Sequence, residues 1–199
     1  NDIGKPLYCK LGIYIWRKDV AKFLVQKSAP LKGEVTISGA KNAVLPIMAA
    51  ALLTEEKCTI METPALRDVD VMCQLLESLG SIVTSRLEDN IVEIESRDIT
   101  EYEAPFELVK KMRASILVIA PLLVRTGRAA IPLPGGCAIG KRPIELHLKG
   151  LRALGVEIKE NSGDQGLLEA KATKLTGSEI YLDFPSVGAT EVIIMAAAL

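Results

Sequence analysis

"VDVMCQLLESLGSIV", residues 69 to 83, returns in altered form as "IELHLKGLRALGVEI", residues 144 to 158. In the first copy Val71, Leu75 and Leu79 recur at i, i+4 and i+8, the spacing of one face of an amphipathic helix. Both copies then close on a Leu-Gly pair, 79-80 and 154-155, 75 positions apart. A glycine there suits the left-handed residue that ends many helices, and "SIV" or "VEI" then opens a strand.

Working outward, three apolar segments begin alike. Gly39-Ala40-Lys41-Asn42 precedes "AVLPIMAAALL", Lys111-Met112-Arg113 precedes "ASILVIAPLLV", and Ser186-Val187-Gly188-Ala189-Thr190 precedes "EVIIMAAAL". Their starts lie about 72 to 75 residues apart. In the first, Val44, Ile47, Met48 and Ala51 follow i, i+3, i+4 and i+7, again a helical face. Strand candidates fill the gaps: "EVTIS" (34–38) alternates through Val35 and Ile37, "CTIME" (58–62) follows the first helix, and "SIVTS" with "NIVEIE" makes a hairpin across Leu87 to Asn90.

The repeating unit is therefore strand, helix, strand, helix, strand, strand. The second copy repeats it with "AAIPLP" (129–134) and a hairpin through Asn161 to Gly166; the third opens with Ile180, Leu182 and Phe184 and is cut off. A period near 75 residues is too long for a solenoid and fits a few units packed about a common axis. Residues 113–124 and 188–199 are apolar almost all round, which places these helices inside. The expected fold is α/β, repeated units packed around internal helices and truncated in the third repeat. Residues 1–21 carry no assignment, and a chain that starts at Asn1 and stops within an apolar run reads as a piece of something longer.

The 199 residues are 49% hydrophobic and 25% charged, enough apolar surface for one sizeable core or two small ones. Net charge is -1, from 24 Lys and Arg against 25 Asp and Glu, so no global field attracts nucleic acid or an anionic membrane. No apolar run reaches the roughly 18 residues of a membrane helix, and "LGIYIW" (11–16) lacks a cleavage site after it. A cytoplasmic protein is expected. Cysteines 9, 58, 73 and 137 show neither metal spacing nor a secreted disulfide framework, and one histidine argues against a His-based metal centre.

An anion site must then be local. Helix N-termini carry exposed N–H groups and about half a positive charge. Lys41 stands just after Ser38-Gly39, Arg113 opens the second long helix, Arg142 precedes Pro143 at an expected first helical position, and Ser186-Val187-Gly188 opens the third. Either these cations are merely solvated, or they line a pocket for a multiply charged anion. "PGGCAIGKRP" (134–143) sets Cys137 among three glycines with Lys141 and Arg142 behind it, surroundings that lower a thiol pKa and admit a ligand to the sulfur. Cys137 is a candidate nucleophile or proton donor, whereas Cys58 and Cys73 read as small core residues. His147, five residues after Arg142, faces the same pocket or packs.

The segments "LKGEVTISGAKNAVLPIMAAALL", "LVKKMRASI", "LPGGCAIGKRPIELHLKGL" and "PSVGATE" occur in order, and residues 22–199 resemble the UDP-N-acetylglucosamine 1-carboxyvinyltransferases, enolpyruvyl transferases of peptidoglycan synthesis. "PGGCAIG" sets the resemblance apart from the sister enzymes that make enolpyruvylshikimate phosphate. The resemblance implies an inside-out α/β barrel domain of three repeats, incomplete over 22–199, and a second domain absent from this chain, with the active site between them. It also implies transfer of the enolpyruvyl group of phosphoenolpyruvate to the 3'-hydroxyl of UDP-N-acetylglucosamine, with no metal cofactor.

Carried over by position, Lys41 and Arg142 would bind phosphoenolpyruvate, Asn42 the sugar nucleotide, and Arg113 phosphate or carboxylate. Cys137 matches the loop cysteine that fosfomycin alkylates, an acid, adduct-forming nucleophile or aid to product release. Arg142, Pro143, Ile144, Glu145 and Leu146, with Ser186, Val187 and Gly188, match the uridine and diphosphate contacts, and His147 a histidine near the pocket. Glu145 stands where many members carry Asp, and Phe184 where some carry Lys. The absent domain would supply a catalytic aspartate and further arginines, so the piece alone should not turn over.

Overall fold

The computed structural model describes residues 7–8, 14–16, 22–24, 30, 32–133, 144–161 and 166–198. The chain divides into two units, Asn1–Ile37 and Ser38–Leu199. In the first, β1 (Leu7–Tyr8), β2 (Tyr14–Trp16) and β3 (Lys22–Leu24) form an antiparallel sheet in that order. Strands of two or three residues are too short for alternation to register, which is why the sequence pattern assigns nothing there.

The second unit begins with α1 (Lys41–Ala50), extended by a 3₁₀ turn at Ala51–Leu53, then β4 (Cys58–Ile60), α2 (Arg67–Ser78) and the hairpin β5 (Ile82–Arg86) and β6 (Ile91–Glu95). The short α3 (Phe106–Val109), a 3₁₀ helix at Arg113–Val118 and α4 (Ile119–Thr126) follow, then β7 (Arg128–Pro132), α5 (Glu145–Ala153), β8 (Glu157–Asn161), β9 (Leu167–Lys171) and α6 (Val187–Ala197). Two three-stranded antiparallel sheets result, ordered β4-β6-β5 and β7-β9-β8. The order is the same in both, so the repeat read from the sequence is a repeat of topology.

The duplicated Leu-Gly pairs show it at atomic scale. Gly80 and Gly155 take φ of 109° and 90°. In each copy the glycine N–H donates three residues back, to Glu77 and Arg152, and the next N–H donates five back, Ser81 to Leu76 at 3.0 Å and Val156 to Leu151 at 3.1 Å. Both helices thus end in a Schellman motif, which only a left-handed residue permits cheaply. The Leu79 and Leu154 carbonyls then receive Thr100 and Thr176 N–H at 3.1 and 3.0 Å, tying the chain after each hairpin back to the helix end.

Helices hold most of the large side chains that are fully buried: Met48 on α1, Met72, Leu75 and Leu76 on α2, Ile119 and Leu122 on α4, Leu151 on α5. Each contributes about 1.5–3 kcal/mol by leaving water. The sheets add one face apiece, Val92 and Ile94 of β6 and Leu168 and Ala170 of β9 being buried while their neighbours are not. α1 packs on α2 and on the 113–118 turn; α4 and α5 both pack on α6. Helices inside and sheets outside is the arrangement that the all-round apolar segments imply.

Three expectations are corrected. Residues 34–38 and 180–184 belong to no strand, and Asp183 and Phe184 form a bend. Alternation reports that two faces differ; a ladder also needs a neighbouring backbone, and no described strand offers one to either segment. In the second copy the leading position survives as a single parallel bridge, Glu103 to Ala130, with Ala104 N–H on the Ala130 carbonyl and Ala130 N–H on that of Tyr102. The third correction is to 113–124, whose first half is 3₁₀. Pro121 can neither donate to the Leu117 carbonyl nor clear it, so an α-helix is resumed only at Ile119, where the proline falls in the first turn.

Candidate functional site

The best-defined helix start is that of α6. Ser186 is extended, its Oγ accepts the Ala189 N–H at 3.3 Å, and its carbonyl accepts the Thr190 hydroxyl at 2.8 Å. The first turn contains no acidic side chain, so the positive end of the helix dipole is uncompensated locally. Val187 is well exposed, whereas the Gly188 backbone is pressed against α5.

Two glycines bring α5 and α6 together. A Cβ at Gly150 would overlap the Ile193 side chain, and one at Gly188 would stand 3.0 Å from Nε2 of His147. His147 is consequently 5% exposed, with Nδ1 buried and without a hydrogen-bond partner. Burial pushes its pKa below the ordinary histidine value, the Arg113 guanidinium pushes the same way, and the Ile144 carbonyl and Glu145 oppose them. Burial and Arg113 both favour the neutral ring. The Ile144 carbonyl lies near enough to favour the proton yet outside hydrogen-bond geometry.

Arg113 opens its 3₁₀ helix from an extended Met112 whose carbonyl receives Ser115 Oγ at 2.6 Å. Arg113 is an exposed residue, and its charge acts on His147. Lys41 opens α1 after an extended Ala40; no side chain caps that helix and no acid occupies its first turn. The Lys41 ammonium instead lies 3.0 Å from Oδ2 of Asp68, in the first turn of α2. Asn42 is exposed beside it.

Of the residues singled out by sequence, the structure thus gathers Arg113, His147 and Gly188, with Ile144, Glu145, Leu146, Ser186 and Val187 on the same two helix starts. Leu146 is buried and Glu145 exposed. Lys41 and Asn42 stand on α1, which packs on the turn that Arg113 opens. Cys137, Arg142 and Pro143 lie outside the described residues. Cys73 is a core thiol: burial, then Asp70 and Glu77, push its pKa up to about 11. Asp68 is the participant that sequence reasoning missed. Its signal was an acidic residue opening α2, which reads as helix-dipole compensation and says nothing of Lys41.

The chain is similar to known proteins over most of its length. Residues 25–199 match the EPSP synthase (3-phosphoshikimate 1-carboxyvinyltransferase) family. A UDP-N-acetylglucosamine 1-carboxyvinyltransferase of Caldanaerobacter subterraneus subsp. tengcongensis is 55% identical over 176 residues, 88% of this chain and 41% of that protein. One from Gloeobacter violaceus is 52% identical over 169 residues, covering 85% and 36%. The chain therefore spans roughly two fifths of the length of such relatives. Among solved structures, the enolpyruvyl transferase NikO from Streptomyces tendae aligns with a TM-score of 0.70 at 20% identity, over 83% of this chain and 38% of that one. EPSP synthase from Acinetobacter baumannii aligns at 0.63 and 17% identity, over 82% and 37%. At these identities the structural likeness speaks for the fold alone.

Proposed function

Because this chain belongs to the EPSP synthase family, we propose that it forms part of an enzyme that transfers the enolpyruvyl group of phosphoenolpyruvate to the 3'-hydroxyl of UDP-N-acetylglucosamine, releasing phosphate, as the first step of peptidoglycan precursor synthesis in the cytoplasm. The observation that carries the reading is the convergence of Arg113, His147 and Gly188 from three separate helix starts. Two α-helix starts in contact and a guanidinium whose charge acts on the same histidine suit a ligand bearing several negative charges.

On this reading the sugar hydroxyl adds to C2 of phosphoenolpyruvate as a proton is delivered to C3, giving a tetrahedral phosphoketal. Loss of that C3 proton and cleavage of the C2–O bond to phosphate then leave the enol ether. Lys41 and Arg142 hold the phosphoenolpyruvate anion, Arg113 a phosphate or carboxylate, and Asn42 the sugar nucleotide. Cys137 supplies an acid, forms an adduct or aids release. Residues 142–146 and the Ser186-Val187-Gly188 turn take the uridine and diphosphate, and the α6 cap supports this by leaving first-turn N–H groups for an anion. Fixed cations placed where charge develops lower the barrier without reorganisation. The remaining length of the protein supplies the groups that close over phosphoenolpyruvate.

The test is phosphate release in the full-length protein. Release from phosphoenolpyruvate should require UDP-N-acetylglucosamine, and Cys137 should gain the mass of fosfomycin; release without the sugar nucleotide, or an unmodified thiol, refutes the assignment. A second reading is a non-catalytic module that binds a sugar nucleotide or a partner domain through helix starts such as that of α6, whose first turn carries no acid. Calorimetry on the 199-residue chain with UDP-N-acetylglucosamine, set beside turnover by the full-length protein, separates the two.

A further inference from the structure

One segment grips the start of α1 at two points. Glu62 adopts a left-handed φ of 56°, uncommon for a residue with a side chain, and its carbonyl oxygen lies against Gly39 so closely that a Cβ there would overlap it. The neighbouring Thr63 is fully buried and locks the bend: its N–H donates to the Asn90 carbonyl at 2.8 Å and its Oγ1 to the Ile60 carbonyl at 3.2 Å. Farther along the same segment, Asp68 sets Oδ2 3.0 Å from the Lys41 ammonium. The backbone entering α1 and the head of its first side chain are held by residues 62–68. Backbone strain of this kind persists where the surroundings over-determine it, often beside a functional group.

We propose that Asp68 is a positioning residue for Lys41, an inference that rests on the reading in which Lys41 holds phosphoenolpyruvate. An ammonium has three N–H donors; the carboxylate takes one and fixes Nζ, leaving two for an arriving anion. A lysine side chain at large would lose much rotamer freedom on gripping a ligand, and the ion pair removes that loss beforehand. Asp68 acts through Lys41 and touches no substrate.

In the full-length protein, Asp68→Ala should raise KM for phosphoenolpyruvate about five- to tenfold, the loss of about one hydrogen bond's positioning, with KM for UDP-N-acetylglucosamine unchanged. Asp68→Glu should recover most of it. Asp70→Asn removes a negative charge from the same helix turn and should leave both constants at wild-type values. Independently of turnover, Lys41 should be acetylated by acetic anhydride about two- to fivefold faster in Asp68→Ala, read by peptide mass, because the Asp68 carboxylate no longer lies against Nζ and shields it from the reagent. Should Asp68→Ala fail to fold, Asp68→Asn is read the same way. An unchanged or lower KM for phosphoenolpyruvate, or equal acetylation rates, overturns the proposal. A wild type without phosphate release refutes the transferase reading instead, and the acetylation rates then decide this one alone.

Discussion

Gly188 and His147 compete for one volume: a Cβ on the first would stand 3.0 Å from Nε2 of the second. Because the contact joins the first turns of α5 and α6, it sets how closely those two helix starts approach each other and therefore the spacing of the groups that a ligand would meet there.

Gly188→Ala should accordingly lower stability by about 1 kcal/mol net, overpacking of about 1–3 kcal/mol being offset in part by the gain from replacing a helical glycine. In a His147→Ala background the same change should become stabilising. A double-mutant cycle by urea unfolding reads the coupling, and additive effects would show that the two residues do not press on each other.

Gly39→Ala has no such relief, since the obstacle is the Glu62 carbonyl, a backbone atom held by Thr63. We expect a loss of about 3 kcal/mol or more and a displaced start of α1. Thermal melts measure the first; amide shifts of residues 39–44 report the second.

His147 makes stability depend on pH with a definite sign. Its folded pKa is depressed, by burial first and then by Arg113, so below the unfolded value near 6.5 the unfolded chain binds the extra proton. The stabilisation is complete above about pH 6.5 and falls as pH drops through the folded pKa. Glu191 acts the other way: burial raises its carboxyl pKa, which favours the folded state less as pH rises above about 4.5. Unfolding free energies of wild type and His147→Gln between pH 5 and 7.5 should diverge in slope, the variant being flatter. Parallel curves would refute the assignment.

Arg125 knits the first repeat to the second. Its guanidinium donates to the carbonyls of Leu52, Ser96 and Arg97 at 2.9, 3.1 and 3.0 Å, and the side chain is 14% exposed. Arg125→Met strands those acceptors and should cost about 2–4 kcal/mol. Arg125→Lys should rescue less than half of it, because one ammonium cannot span three carbonyls set for a planar fork.

Much of this architecture was legible because it is local. The left-handed glycines 80 and 155, the hairpins at 82–95 and 157–171 and the helices on either side follow from spacing that a dozen residues contain. What escaped depends on partners remote in sequence. Val35 and Ile37 alternate as a strand would, but pairing is a property of the neighbour. The 3₁₀ turn at 113–118 hides behind an apolar run whose one proline carries the information. In the site, the cations at helix starts were readable, whereas the Lys41–Asp68 pair and the burial of His147 arise only when helices cross.

The matching sheet orders, β4-β6-β5 and β7-β9-β8, have a kinetic corollary. Every ladder in them closes within its own repeat, so no strand must wait for a partner synthesised much later. Loop-closure entropy is therefore modest, and a nascent chain can complete the first sheet while the second is still being translated. Pulse-labelled hydrogen exchange during refolding should protect residues 58–95 and 128–171 as two separately timed groups, with the α4–α6 packing acquiring protection last.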